Sequence, residues 1–136
     1  MAKLFLEIVT PDKVLVSQEV DSVVAPGSLG EFGVLPGHIS FLSGIVPGEL
    51  RYSDGADRES MLITTGFAEV SNDKVSILVD AAEKAGEIDL GRANQAMERA
   101  RGRVEKRRHD ENIDLSRAEA AVERAVVRVK IAEKLR

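Results

Sequence analysis

Proline, glycine and aromatic residues divide this chain into two parts that must fold differently. All four prolines, all five aromatic residues and eight of the eleven glycines lie before residue 83. Residues 83–136 contain no proline and no aromatic side chain. Because proline and glycine interrupt helices while aromatic residues favour strands, we expect a strand-rich domain over residues 1–84 and a helical domain over residues 85–136.

The charge balance changes at the same place. Residues 1–82 contain five Lys and Arg against twelve Asp and Glu, whereas residues 83–136 contain fourteen against eleven. The net charge of −4 therefore combines an acidic first part with a basic second part. A basic surface of this kind attracts phosphate groups or acidic protein surfaces.

Short segments rich in β-branched residues predict strands in the first part. They are separated by turn signals such as Thr10-Pro11-Asp12 and Ser71-Asn72-Asp73. The predicted strands are Leu4–Val9, Lys13–Val16, Val20–Val24, Met61–Thr64 and Lys74–Val79. Strands about ten residues apart with no helix between them indicate an antiparallel β-sandwich or flattened barrel. The whole chain is then a segregated α+β protein.

Apolar residues spaced three and four apart predict two helices in the second part. The two series are Leu90, Ala93, Met97, Ala100, Val104 and Leu115, Ala118, Val122, Ala125, Val129, Ala132. Asp89 and Asp114 stand directly before them as candidate N-caps, and a polar break separates the series. We expect an antiparallel helical hairpin. Its seam is rich in alanine, so it buries little apolar area and gains little stability from it.

The two predicted helices also resemble each other in sequence. Residues 88–106 match residues 113–131 at eleven of nineteen positions. Two interpretations fit this repeat: a duplicated segment, or the similarity of any two helices rich in Ala, Arg and Glu. Both predict the same hairpin.

Several classes of function are excluded by what the sequence lacks. There is no cysteine, no G-x-x-x-x-G-K-[ST] or G-x-G-x-x-G loop and no H-E-x-x-H motif, and the two histidines are His38 and His109. No apolar run approaches the roughly 18 residues of a membrane span. The early charges of Lys3 and Glu7 argue against a signal peptide. We therefore expect a non-enzymatic protein that requires no metal or cofactor.

The stretch from Pro26 to His38 is the most unusual of the chain, with four glycines and two prolines. One interpretation is a tight connection in which glycine supplies positive φ angles and proline fixes a turn. The other is a rigid contact loop that displays Glu31 and His38.

Four arginines become neighbours if the helices form an antiparallel pair. They are Arg92, Arg99, Arg124 and Arg128. Such a cluster is either solvated and paired with nearby carboxylates, or answered by a polyphosphate through charge-assisted hydrogen bonds. A second basic group lies towards the hairpin tip and consists of Arg99, Arg101, Arg103, Lys106, Arg107 and Arg108. An alternative function is therefore a basic helical module that binds nucleic-acid duplexes, with a steep dependence on salt.

The whole chain resembles the ε subunits of bacterial F-type ATP synthases, whose mitochondrial counterpart is the δ subunit. The motifs that carry this resemblance are Val9-Thr10-Pro11-Asp12, Gly30-Glu31-Phe32-Gly33-Val34-Leu35-Pro36-Gly37-His38, Gly66-Phe67-Ala68-Glu69-Val70 and Ile88-Asp89-x-x-Arg92-Ala93. They cover both predicted domains in the order found in the family.

The resemblance implies a non-catalytic subunit of the central stalk of the proton-translocating enzyme, peripheral to the cytoplasmic face of the bacterial plasma membrane. The β-sandwich is expected to bind the γ subunit and the ring of c subunits, with rotor contacts at Glu31, Gly33, Pro36 and His38. The helices are expected to leave the hairpin, extend towards the catalytic α and β subunits and inhibit ATP hydrolysis. The β-subunit contacts expected from the resemblance are Arg99, Arg101, Arg103, Lys106, Arg107 and Arg108.

Some members of the family bind ATP as a regulatory ligand in the folded hairpin, and the motif that they use is similar here. The residues implied are Glu83, Ile88, Asp89, Arg92, Ala93, Arg99, Arg124 and Arg128. The arginines are expected at the phosphates, with Glu83 and Asp89 at the base or orienting the arginines.

Overall fold

The computed structural model describes residues 2–107, 112 and 114–134, and Lys134 by its backbone alone. The chain divides into two compact units, Met1–Lys84 and Ala85–Arg136. We call them the strand domain and the helical domain.

Ten strands make up the described part of the strand domain. They are β1 (Leu4–Val9), β2 (Val14–Val20), β3 (Ser22–Gly27), β4 (Gly30–Val34), β5 (Phe41–Ile45), β6 (Gly48–Asp54), β7 (Asp57–Ile63), β8 (Gly66–Ser71), β9 (Lys74–Val79) and β10 (Ala82–Lys84). Nine of them follow one hydrogen-bonded order, β10-β7-β6-β3-β5-β8-β9-β1-β2, and β4 pairs with β3.

Alternation of side chains explains how these strands enclose one core. On β1, Leu4, Leu6 and Ile8 are completely buried, while the residues between them face outward or are half-buried. Strand β9 buries Val75 and Ile77 in the same way. Buried residues from β1, β2, β3, β4, β5, β6, β7, β8 and β9 form a single apolar cluster. The predicted β-sandwich followed by two helices is confirmed.

The strand predictions differ from the structure in several places. The predicted Lys13–Val16 and Met61–Thr64 overlap longer strands, β2 and β7, that have other bounds. Val20–Val24 is not one strand, because β2 ends at Val20 and β3 begins at Ser22. The glycine-rich stretch is more than a connection, because Gly30–Val34 forms β4 and pairs with β3. Strands β5, β6, β8 and β10 were also not predicted, since their residues include glycine, serine and charged side chains that lower the local preference for strands.

One strand pair is parallel, whereas the sequence predicted an antiparallel arrangement. Among the pairings of the described strands, β1 runs parallel to β9, with Leu6 opposite Val75 and Ile8 opposite Ile77, and the other eight are antiparallel. Turn signals report only on strands that are consecutive in the chain. A pairing between the first strand and the ninth leaves no such local signal.

The helical domain contains a 3₁₀ turn (Ala85–Glu87) and the helices α1 (Leu90–Arg107) and α2 (Leu115–Lys134). The two helices pack against each other. A shallow groove between them is lined by Arg101, Val104 and Glu105 of α1 and by Glu119 and Val122 of α2. Positions just before the connection therefore lie beside positions just after it, as in an antiparallel hairpin.

Both helices begin at the predicted caps. The Asp89 Oδ1 atom accepts a hydrogen bond from the Arg92 backbone N–H at 3.1 Å. The Asp114 Oδ1 atom accepts the equivalent bond from Arg117, also at 3.1 Å. Each carboxylate satisfies one of the amides that a helix leaves unpaired in its first turn.

The predicted seam is largely correct. All five of its alanines are buried, as is Val129, and Leu90, Met97, Val104 and Val122 are half-buried. Leu115 departs from the prediction, since it is the first residue of α2 and its side chain is 40% exposed. Ile131 is buried although the three-and-four spacing did not select it. Five of the eleven predicted seam residues are alanines, and a single methyl group at each of these positions buries little apolar area between the helices.

Candidate functional site

A tight turn follows β4 at the position where the sequence predicted a contact loop. The His38 backbone N–H donates to the Leu35 carbonyl oxygen at 3.1 Å, which closes a four-residue turn. Pro36 occupies the second position and Gly37 the third, where φ is +86°. Proline followed by a residue with positive φ is the pattern of a type II turn. Glycine is required there because an L side chain is strained at this φ.

The β8–β9 hairpin supports this turn. Asn72 and Asp73 have φ angles of 51° and 59°, which defines a type I′ hairpin. The Asp73 Oδ1 atom accepts a hydrogen bond from the Gly37 backbone N–H at 2.7 Å. The Asp73 carbonyl oxygen accepts a bond from the Phe5 N–H at 2.8 Å. One residue therefore joins the turn, the hairpin and the start of β1.

Glu31 belongs to an ion-pair group on the sheet surface. Arg51 on β6 donates to Glu31 Oε1 at 3.1 Å and to Glu49 Oε1 at 2.9 Å. These contacts raise the pKa of Arg51, the bond to Glu49 first and the bond to Glu31 second. Both carboxylates are fixed by the same guanidinium group. Because the Glu31 side chain remains 56% exposed, it stays available to a partner.

His38 is held on one side by its own backbone. Its Nδ1 atom lies 2.7 Å from the Ile39 carbonyl oxygen. A carbonyl oxygen only accepts, so Nδ1 carries the proton and donates. The imidazole also packs edge-to-face on Phe41 with ring centroids 5.9 Å apart, and Phe41 packs on Phe32 at 5.0 Å. His38 and Pro36 are half-buried, whereas Gly33 is exposed.

Exposed apolar side chains flank the turn, and sequence analysis did not select them. Leu35 is 64% exposed, Ile39 78% and Leu42 71%. Isolated exposed leucines are common, but several next to one rigid turn indicate a binding surface.

A second apolar group crosses four neighbouring strands, and we call it the apolar row. Phe67 pairs with Leu78, Leu78 with Val9, and Val9 with Val14. Phe67 is 64% exposed, Leu78 53% and Val14 57%. A signal was present in the run Ile77-Leu78-Val79, because consecutive apolar residues indicate a strand with both faces covered. The sequence alone does not show that these residues are neighbours, because that depends on how β8, β9, β1 and β2 pair.

The helical residues of the sequence prediction fall into two groups. Exposed cations are Arg92, Arg99, Arg101, Arg103, Lys106 and Arg124, while Arg107 and Arg128 are half-buried. Ile88 and Ala93 are each 2% exposed, so they serve packing. Asp89 serves as the N-cap of α1.

Two residues of the sequence prediction lie outside the described part of the helices. Glu83 is half-buried on β10 of the strand domain, and Arg108 lies outside the described residues.

Metal sites and membrane-spanning helices are both absent from the described part of the chain. No three His, Asp or Glu side chains among them lie close enough together to hold a metal ion. Neither of the two described helices is long and apolar enough to cross a membrane.

The architecture of both domains matches known families. Residues 3–85 match the family model described as ATP synthase, Delta/Epsilon chain, beta-sandwich domain. Residues 87–133 match the model described as ATP synthase, Delta/Epsilon chain, long alpha-helix domain. The chain belongs to the ATP synthase delta/epsilon chain family.

Curated members of the delta/epsilon chain family are similar over almost the full length. The ATP synthase epsilon chain of Syntrophobacter fumaroxidans is 53% identical over 132 residues, which cover 97% of each chain. That of Geotalea daltonii is 47% identical over 132 residues, covering 97% of this chain and 95% of its own. The resemblance inferred from the motifs is confirmed. The expectation of a non-enzymatic chain is also confirmed, since the epsilon chain is a non-catalytic subunit of the ATP synthase.

Chains in solved ATP synthase structures share the fold. A chain of the mitochondrial ATP synthase of Euglena gracilis, in a structure of OSCP, F1 and the c-ring, superposes with a TM-score of 0.83 at 27% identity. The match covers 100% of this chain and 83% of that one. A chain from the central stalk and c-ring of the Tetrahymena thermophila enzyme gives 0.56 at 17% identity, covers 64% of this chain and 70% of that one, and agrees in fold alone.

Proposed function

We propose that this chain is the rotor subunit of a bacterial proton-translocating F-type ATP synthase that links the c-ring to the catalytic head. The observation that carries the proposal is the match of both domains, in order, to the delta/epsilon family. The similarity of the entire chain to part of an assembly that contains a c-ring supports it. In this role the chain transmits rotation and performs no chemistry.

The strand domain is the part that binds the rotor, meaning the γ subunit and the c-ring. Its candidate contact residues are Glu31, Gly33, Pro36 and His38, together with the flanking apolar side chains. Three properties support this assignment: the type II turn is rigid, Glu31 is fixed by Arg51, and the exposed Leu35 and Ile39 offer apolar area. A preorganised surface loses little conformational entropy on binding. The apolar row provides a second surface for the same rotor.

The helical domain is the regulatory part. We assign the contact with acidic segments of the catalytic β subunits to Arg99, Arg101, Arg103, Lys106, Arg107 and Arg108. The charge of these residues supports the assignment, because complementary potentials guide and strengthen association. The alanine-rich seam supports it as well, because a weakly held hairpin separates at low cost. The extended helices would then block rotation in the hydrolysis direction.

ATP is the proposed regulatory ligand of the folded hairpin. The groove places positions 101–105 beside 119–122. If this pairing continues along both helices away from the connection, Arg99 on α1 lies opposite Arg124 on α2. Arg92 then lies within about one helical turn of Arg128. Arg92, Arg99 and Arg124 are exposed, as a phosphate-binding group must be. Glu83 belongs to the strand domain, so the proposal rests on the hairpin residues.

The free energies limit what ATP contributes. A ligand present at a hundred times its dissociation constant stabilises the state that it binds by about 2.7 kcal/mol. Moving a 1:99 population to 99:1 requires about 5.5 kcal/mol. ATP therefore biases the hairpin, and contacts with the rotor supply the remainder.

The complex would hold the chain at the cytoplasmic face of the plasma membrane as a peripheral subunit. The direct test is to add the full chain to an F-type ATP synthase stripped of its own ε subunit. We expect the chain to bind the γ–c-ring complex and to restore proton pumping driven by ATP. Failure to bind that complex would reject the proposed function.

A further inference from the structure

The hydrogen bond between Asp73 and Gly37 involves the one peptide group whose orientation defines the turn. Type I and type II turns have similar chain paths and differ by a rotation of the central peptide, which lies between the second and third residues. In the turn from Leu35 to His38 this is the Pro36–Gly37 peptide, and its N–H is the group that Asp73 binds, at 2.7 Å. The contact therefore acts on the part of the turn that is free to rotate.

Gly37 by itself does not hold that orientation. Glycine populates positive and negative φ angles about equally. Pro36 fixes its own φ but not its ψ, and proline is favoured at the second position of both turn types. The Leu35–His38 hydrogen bond also closes both types. The local sequence therefore permits the type I form as well, and an acceptor outside the turn shifts the balance towards the type II form.

Asp73 is well placed to be that acceptor. It is 36 residues away in sequence and is held by a type I′ hairpin turn. Its own carbonyl oxygen is anchored by the Phe5 N–H at 2.8 Å. The backbone of Asp73 is therefore held by the β8–β9 hairpin and by β1. Its position does not depend on the turn that it supports. A carboxylate acceptor also makes a stronger bond to an amide than a neutral group does.

We propose that Asp73 is a positioning residue that selects the type II form of the Leu35–His38 turn. By holding the Gly37 N–H, it sets the direction in which the Pro36 carbonyl oxygen on the opposite side of the same trans peptide is presented to a partner. This inference rests on the proposed function in so far as the turn meets the rotor. Asp73 itself need not touch the partner. It acts through the orientation of one peptide group.

The test compares two variants of the full chain that both retain the hairpin. Asp73→Gly removes the carboxylate and creates an Asn72-Gly pair, which is the most favourable sequence for a type I′ turn. Asp73→Asn is the matched control, because asparagine tolerates the left-handed region and keeps an acceptor oxygen. Asp73→Ala is unsuitable, because alanine lacks the short polar side chain that lets aspartate and asparagine tolerate a φ of 59°.

The first measurement reports on the turn and not on stability. In a type II turn the Hα atom of the second residue lies close to the N–H of the third, and in a type I turn it does not. We expect a strong NOE between Pro36 Hα and the Gly37 amide in the natural chain and in Asp73→Asn, and a weakened NOE in Asp73→Gly. An undiminished NOE in Asp73→Gly would overturn the inference.

The second measurement is the affinity of each full chain for an isolated γ–c-ring complex. We expect Asp73→Gly to bind about fivefold more weakly, the ratio that corresponds to one hydrogen bond of ordinary net strength. Asp73→Asn should bind like the natural chain. If the NOE weakens and the affinity does not change, Asp73 sets the turn but the turn is not a rotor contact, and that part of the proposal is overturned. If no chain binds at all, the proposed function fails while the NOE result still decides the role of Asp73.

Discussion

The Lys3 Nζ atom lies 2.6 Å from Asp21 Oδ1 and joins the first strand to the loop between β2 and β3. The same ammonium group donates to Asp54 at 2.9 Å. Asp21 also accepts the Gly55 N–H at 2.6 Å. Three separate parts of the strand domain are thereby connected: the residue before β1, the residue between β2 and β3, and the end of β6 with its following turn.

The pH dependence of stability follows from these contacts. The hydrogen bond from Lys3, followed by that from Gly55, lowers the pKa of Asp21 below its ordinary 3.8. The bonds to Asp21 and Asp54 raise the pKa of Lys3 above its ordinary 10.5. The carboxylate contribution is present above pH 3.8 and is lost as the pH falls through the lowered pKa. The ammonium contribution is present below pH 10.5 and is lost as the pH rises through the raised pKa.

Lys3→Gln should therefore lower the melting temperature slightly at pH 7, with the difference shrinking as the pH falls below 3.8. The side chains of Lys3, Asp21 and Asp54 are all partly open to solvent, so screening keeps the effect small. Thermal unfolding measured across this pH range checks it. Lys13→Gln is the matched control, because Lys13 is exposed and takes part only through its backbone in the hydrogen bonds of the described residues. An equal loss at pH 7 and pH 2.5 would contradict the account.

The helix caps predict a second stability effect. Asp89→Ala removes the acceptor for the Arg92 N–H and should cost about 1 kcal/mol of helical stability, the usual value for an N-cap. Asp89→Asn should cost less, since asparagine caps nearly as well. Urea unfolding followed by circular dichroism at 222 nm measures both. Equal stability of the alanine variant and the natural chain would show that the capping bond contributes nothing.

The apolar row predicts a loss of binding without a loss of stability. Leu78→Ser removes an exposed side chain and should leave the melting temperature of the isolated chain nearly unchanged. Its affinity for the γ–c-ring complex should fall about tenfold, as expected for an apolar anchor in an interface. Leu29→Ser is the control, because Leu29 is fully exposed in the β3–β4 turn and lies outside the row. If the two variants bind the γ–c-ring complex equally well, the apolar row is not part of the binding surface.

The arginine cluster predicts a response to nucleotide. MgATP should raise the melting temperature of the isolated natural chain, and the double change Arg92→Ala with Arg128→Ala should abolish that rise. Arg117→Ala removes a cation of α2 outside the cluster and should leave the rise intact. Differential scanning calorimetry with and without MgATP measures the shift. A shift in the double variant as large as in the natural chain would reject the site.

Features that depend on neighbours in the chain could be predicted from the sequence. Asp89 and Asp114 were found as caps because a cap binds an amide three residues ahead. Strands β1 and β9 were found with their exact bounds because each is a short segment rich in apolar and β-branched residues next to a turn signal. The change of composition near residue 83 falls close to the division into Met1–Lys84 and Ala85–Arg136.

Features that depend on distant residues could not be predicted. The parallel pairing of β1 with β9 and the bond between Asp73 and Gly37 join segments with no sequence relationship. Strand β4 forms despite two glycines because β3 supplies a partner along its whole length. The residues of the apolar row become neighbours only through the pairing register of β8, β9, β1 and β2, which no local sequence signal reveals. The glycine-rich stretch and the motif resemblance both selected Glu31 and His38. Arg51, which holds Glu31, and Asp73, which holds the turn, were found only in the structure.

The central claim is that the strand domain holds the chain on the rotor while the helical domain restrains ATP hydrolysis. The most direct measurement is the hydrolysis rate of a purified F-type ATP synthase assembled with either the full chain or a chain ending at residue 88. We predict that the shortened chain still copurifies with the enzyme and that hydrolysis becomes faster. Equal hydrolysis rates in two fully assembled enzymes would contradict the claim.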